Sequence, residues 1–347
     1  MSATPQHAAG PLAGLTVVEM HAIGPVPFAG QLLRGLGAEV RRLSPPSDPG
    51  LGIGMDARFD VSNHGKQPVS IDLKDPDGLA RARTLIDGSD VLLEGFRPGV
   101  MERLGLAPAA LLASNPRLVI GRLSGWGARG PLAQRAGHDI NYLAMSGLLN
   151  AIGTGETPVP PLNVVGDYGG GAMLLTVGVL AQLVRRGIDG RGGVVESSIL
   201  AGAVQLSPIF YGLIAAGAWT LERASNLLDG GAPYYRCYPT SDGRRVAVGA
   251  IEPKFYAQLL ALTGLEGTLD PRRQNDRTTW ADTAAALAAR FAARTRDDWA
   301  AAATGTDACV SPVLDFLEAA AHPHNRANAL YRDDPFPMPD RTVGFAP

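Results

Sequence analysis

Apolar and β-branched residues fall in short runs along the first half of the chain, separated by Gly-Pro turns and by segments of helical period. The run Thr16 to Glu19 reads as a strand, Gly24-Pro25-Val26-Pro27 as a turn, Phe28 to Leu36 as a helix and Ala38 to Leu43 as a second strand. The same alternation continues with a strand at Val69 to Asp72, a helix at Asp75 to Asp87 and a strand at Val91 to Glu94. A short helix and a strand at Leu118 to Ser124 follow, then helical segments at Asp139 to Leu149 and Tyr168 to Arg186 and a strand at Gly193 to Glu196. This order predicts an α/β fold, a large domain whose mostly parallel sheet carries helices on both faces.

The pattern then changes. Ser197 to Leu221 carries no formal charge and is long enough to span a bilayer, but Pro208, Gln205 and three serines interrupt it, and acidic residues flank it. It reads as a buried helix broken near Pro208 that links two domains. Strands at Tyr234 to Tyr238 and Arg245 to Ala250, with helices at Pro253 to Leu262 and Thr278 to Arg294, predict a smaller α+β domain. The expected organisation is a large domain over 1–200, a linker helix region over 201–225, a small domain over 226–322 and a segment over 323–347 returning toward the large domain.

Length and composition allow this and exclude other classes. A chain of 347 residues with 46% hydrophobic and 18% charged residues has the surface to build about two cores rather than a disordered chain. Its net charge of -2 gives no field to hold a nucleic-acid backbone. Cys237 and Cys309 show no metal or CxxC spacing and suit a reducing, cytoplasmic compartment as two free thiols, and Met1 to Gly10 lacks the pattern of a secretory signal. No membrane or nucleic-acid partner is expected.

Motifs for nucleotide hydrolysis, zinc proteolysis and serine hydrolysis are missing, and His322 and His324 in a Pro-rich stretch have no third ligand, so no metal is assigned. Three polar points stand out at element junctions: His138 in Gly137-His138-Asp139-Ile140-Asn141-Tyr142, Asp167 in Gly166-Asp167-Tyr168-Gly169-Gly170-Gly171, and Glu252 in Gly249-Ala250-Ile251-Glu252-Pro253. Each has a plain structural role open to it as a helix cap or helix-start residue. The glycines after Asp167 weaken a helix start and serve where a ligand or another backbone comes close.

These segments, with Pro161-Leu162-Asn163-Val164-Val165-Gly166-Asp167, Asn226-Leu227-Leu228-Asp229-Gly230-Gly231-Ala232-Pro233-Tyr234-Tyr235 and Thr306-Asp307-Ala308-Cys309-Val310, resemble the α-methylacyl-CoA racemase family. That family lies within the family III CoA-transferase (CaiB/BaiF) superfamily, and the blocks match in order from Leu12 to about Asn325. The resemblance implies an isomerase that inverts the α-carbon of a 2-methylacyl-CoA thioester by two-base proton transfer through an enolate. It makes His138 and Asp167 the two bases, Glu252 the partner of the histidine, and the amide of Asp139 the donor to the enolate oxygen. It also implies a Rossmann-like large domain, a small domain and an interlocked homodimer, each site lying between one chain's large domain and the other's small domain. No cofactor is implied beyond CoA as part of the substrate. The rival within the superfamily is a CoA-transferase with Asp167 as nucleophile.

The chain departs from that pattern where basic residues usually face the CoA phosphates, at Arg41-Arg42-Leu43-Ser44-Pro45-Pro46 and Asn63-His64-Gly65-Lys66-Gln67-Pro68. Arg42, Lys66 and Arg97 remain as substrate contacts, with Tyr142, Gly169 and Gly170 lining the ligand. The departures predict weaker binding of free CoA and leave open a carrier-bound or small-molecule thioester. The chain also ends sooner than most relatives do.

Overall fold

A computed structural model of the chain describes residues 10–47, 50, 52–333 and 336–340, so the N-terminal stretch read against a secretory signal lies almost wholly outside the described residues. Two compact units emerge. The first comprises residues up to Leu148, Pro161–Pro208 and the chain from Leu330; the second comprises Leu149–Pro160 and Ile209–Ala329. The short excursion Leu149–Pro160 was expected with the large domain. Within the second unit Arg223 holds it, donating to the backbone oxygens of Asn150, Thr154 and Glu156.

In the first unit six strands form one sheet: β1 (Thr16–Met20), β2 (Glu39–Ser44), β3 (Gln67–Ser70), β4 (Val91–Glu94), β5 (Val119–Ser124) and β6 (Gly193–Ser198). Their order is β3-β2-β1-β4-β5-β6, and every pairing is parallel. This is the doubly wound order, which reverses direction between β1 and β4. Side chains alternate across the sheet, so Val17 and Leu93 pack with Leu33, Leu175 and Val179 on one face. Val18 and Leu92 pack with Ile86, Met101 and Leu111 on the other.

The second unit has an antiparallel sheet of β7 (Tyr235–Pro239), β8 (Arg245–Gly249) and β9 (Val310–Pro312). Helices Pro253–Thr263, Trp280–Phe291 and Arg296–Ala303 supply Tyr256, Phe291 and Trp299 to a core that also takes Tyr234.

Two helical expectations need correction. The segment read as a helix from Tyr168 is a π-helix over Val164–Met173 that continues as an α-helix over Leu174–Asp189. The amide of Tyr168 donates to Asn163 O, five residues back. Together, Val164–Asp189 is long and apolar enough to cross a membrane by length and composition, yet Leu175 and Val179 are buried against the sheet. The uncharged run Ser197 to Leu221 does break before Pro208, giving helices Ile199–Gln205 and Pro208–Ala215. The first carries the buried Ile199, Gly202 and Ala203; on the second no residue is fully buried, Phe210 packs on Trp219, and Ile209, Tyr211 and Ile214 are exposed on the single chain.

Candidate active site

In a sheet of this order ligands bind beyond the carboxyl ends of the strands, beside the reversal. A cavity of about 570 Å³ lies there in the first unit. His21 just beyond β1, Ser44 and Pro45 at the end of β2, Lys74 beyond β3, Arg97 beyond β4 and Ser124 closing β5 all face it. From the helical segments come His138, Tyr142 and Asp167. Four residues expected at the site, His138, Asp167, Tyr142 and Arg97, therefore meet in one cavity.

Asp167 is fixed from several sides. It sits in the π-helix, its own amide donates to Asp139 Oδ1 at 2.7 Å, and Asn163 hydrogen-bonds its carboxylate. A Cβ on Gly166 would collide with Asp139 Oδ1, so glycine there admits the carboxylate to the π turn. Gly24, at φ 68°, faces Asp167 Oδ2; a Cβ there would stand 3.1 Å away. Burial, reinforced by the charge of Asp139, pushes the Asp167 carboxyl up to about 6, while Asn163 and His138 pull against that rise.

His138 is the N-cap residue of the helix Asp139–Ser146, and its amide donates to Asn141 Oδ1 at 3.0 Å. Its ring is left exposed at the cavity. Asp139 is the first residue of that helix, where backbone amides have no partner within the helix. Tyr142 donates to Gly137 O at 2.6 Å and meets Trp126 edge to face at 4.7 Å. A Cβ on Gly125 would collide with its hydroxyl.

Other expected contacts are differently placed. Lys66 does not line the cavity: its side chain is 1% exposed, and Nζ donates to Glu19 Oε2 at 2.7 Å, Pro27 O at 2.8 Å and Asn63 Oδ1 at 3.1 Å. It is a structural ion pair that ties the segment before β3 to the helix Pro25–Gly35, with burial pushing the Glu19 carboxyl up and the Lys66 ammonium down. Arg42 reaches the wall only through His21, whose Nδ1 lies 3.0 Å from its guanidinium. Gly169 and Gly170 serve packing. A Cβ on Gly170 would stand 2.6 Å from Ala203 N and 2.7 Å from Gly202 C, while one on Gly169 would press on Val164 O at 3.1 Å.

Glu252 belongs to the second unit, as N-cap of the helix Pro253–Thr263, where its carbonyl accepts the amides of Phe255 and Tyr256. Its charge helps to raise the thiol of Cys309, after burial. Sequence reasoning missed Lys74, His21, Gly24 and the side-chain role of Asp139. For Lys74 a signal existed: Ile71-Asp72-Leu73-Lys74 directly follows a strand of a parallel sheet.

Known proteins are similar to this chain along most of its length. Over 341 residues the chain is 43% identical to "Alpha-methylacyl-CoA racemase" of Mus musculus, covering 97% of this chain and 87% of the mouse protein. The Homo sapiens protein of the same name is 42% identical, covering 92% and 82%. The crystal structure of Rv3272 from Mycobacterium tuberculosis superposes with a TM-score of 0.79 at 26% identity, over 98% of this chain and 94% of that one. The model of CoA-transferase family III matches residues 12–345, and the chain belongs to that family.

Proposed function

We propose that this chain is a racemase that inverts the α-carbon of a 2-methylacyl-CoA thioester by moving a proton between two bases. The observation that carries the reading is the meeting of His138 and Asp167 in one cavity, with Asp167 tuned to about 6. The names of the mouse and human relatives support the substrate class.

Inversion beside a thioester needs one group to take the α-proton from one face and another to return a proton to the opposite face. In one direction the Asp167 carboxylate accepts the proton, and the electron pair of the C–H bond moves onto the thioester oxygen as an enolate. The His138 imidazolium then donates to the other face, restoring the carbonyl. In reverse the two exchange roles. A carboxyl near pH 6 ionises readily at neutral pH and still holds a proton better than an exposed aspartate. The amide of Asp139 is suited to the developing oxyanion, because it is fixed before the charge forms.

Lys74 and Arg97 give the cavity cationic side chains for the CoA phosphates, and Pro45 stands where one expected arginine is missing. Glu252 is proposed as the partner of His138, supplied by the second chain of a homodimer. The exposed Ile209, Tyr211 and Ile214 suit burial against another chain.

The test is optical. A single enantiomer of a 2-methylacyl-CoA should approach an equal mixture of both without a free acid present. Hydroxylamine should trap no acyl adduct on the peptide containing Asp167. An adduct, together with CoA transfer to an added carboxylic acid and no inversion, would make the chain a transferase.

A further inference from the structure

Arg97 reaches the cavity from the segment after β4, and what holds that segment lies behind the cavity. β4 ends at Glu94, whose side chain is 3% exposed. Both carboxylate oxygens are engaged: Oε1 accepts from Arg122 Nε at 2.7 Å and Oε2 accepts from the amide of Phe96 at 2.7 Å. Arg122 is directly opposite on β5, and its other nitrogens meet Glu102 at 3.0 Å and Glu196 at 3.5 Å. These charged groups line a second cavity of about 400 Å³, separate from the first but sharing Phe96, Leu123 and Ser124 as a wall. Gly95 leaves no slack, since a Cβ there would stand 2.8 Å from Val26 Cγ2.

We propose that Glu94, braced by Arg122, is a positioning residue that sets the Phe96-Arg97 segment for substrate binding. A charge-assisted bond from a buried carboxylate to the Phe96 amide fixes the backbone one residue before Arg97, so the guanidinium is presented without first being ordered. Glu102 and Glu196 hold the other nitrogens of Arg122 and so aim its Nε at Glu94, whose carboxyl burial pushes up while the guanidinium pulls it back down. The inference rests on the reading that Arg97 contacts the CoA moiety, and the test separates the two.

KM and kcat for a 2-methylacyl-CoA are measured in the wild type, Glu94→Gln, Arg97→Ala and the double variant. Glu94→Gln should raise KM about 5-fold to 20-fold, by more than kcat falls, and the double variant should be no worse than Arg97→Ala alone. If Arg97→Ala leaves KM unchanged, Arg97 is not a ligand contact and both readings fall. If Arg97→Ala raises KM while Glu94→Gln does not, or the effects add fully in the double variant, the positioning role is overturned and the contact stands. Should Glu94→Gln chains fail to fold, Arg122→Gln carries the same prediction, because it leaves Glu94 in place without its brace.

Discussion

Asp139 Oδ1 accepts the backbone amide of Asp167 at 2.7 Å, so the residue that follows one candidate base holds the other. The same carboxylate raises the proton affinity of Asp167, second only to burial. Asparagine at 139 would keep an oxygen for the amide and remove the charge. Asp139→Asn should therefore move the acid limb of kcat/KM, expected near pH 6 in the wild type, to lower pH, as a pH-rate profile would read.

Ionised Asp167 also costs the fold stability. Its pKa is raised in the folded chain, so folding favours the protonated form, and stability falls as pH rises from about 4 through about 6. Asp167→Asn should lower turnover by about 10²-fold to 10⁴-fold yet raise Tm at pH 7.5. The gain in Tm should shrink toward pH 4, where the wild-type carboxyl is protonated as well.

Lys66 and Glu19 are buried together, and removing one partner strands the other. Lys66→Met should destabilise the protein by about 3 to 5 kcal/mol in urea unfolding. Adding Glu19→Met should restore much of the loss. Affinity for CoA in the folded fraction should stay unchanged, since the ammonium does not face the cavity.

Two glycines of the same helical run should answer oppositely to alanine. Gly170→Ala drives a methyl into the backbone at Gly202 and Ala203 and should cost about 1 to 3 kcal/mol. Gly187→Ala lies in open space within the helix Leu174–Asp189 and should stabilise by about 0.5 to 1 kcal/mol. Thermal unfolding of the two variants provides the comparison.

The sheet was legible in the sequence because β1, β4 and β5 carry short apolar or β-branched runs between helical segments, and Val91 to Glu94 matches β4 residue for residue. Strand β3, a polar Gln67–Ser70 joined to β2 without an α-helix, begins two residues before the strand expected at Val69 to Asp72. His138 and Asp167 were legible as candidates because each stands at an element junction among glycines. The burial of Lys66 was not, because its partner Glu19 is 47 residues away and a basic residue in a loop carries no sign of burial. Nor was the π-helix, whose Asp167 amide leaves the helix's own ladder to donate to Asp139, 28 residues earlier in the chain. The exposed helix Pro208–Ala215 is apolar without facing its own chain's core, which hydrophobicity alone does not distinguish from burial.

Two-base proton transfer is tested most directly in heavy water with a single enantiomer of a 2-methylacyl-CoA, following the α-position by NMR and the configuration by chiral separation. The wild type should place deuterium at the α-carbon as inversion proceeds. His138→Ala and Asp167→Asn should lose inversion, each retaining at most exchange from the one face served by its remaining base. Inversion at the wild-type rate in either variant, or no α-deuterium in the wild type, would contradict the assignment.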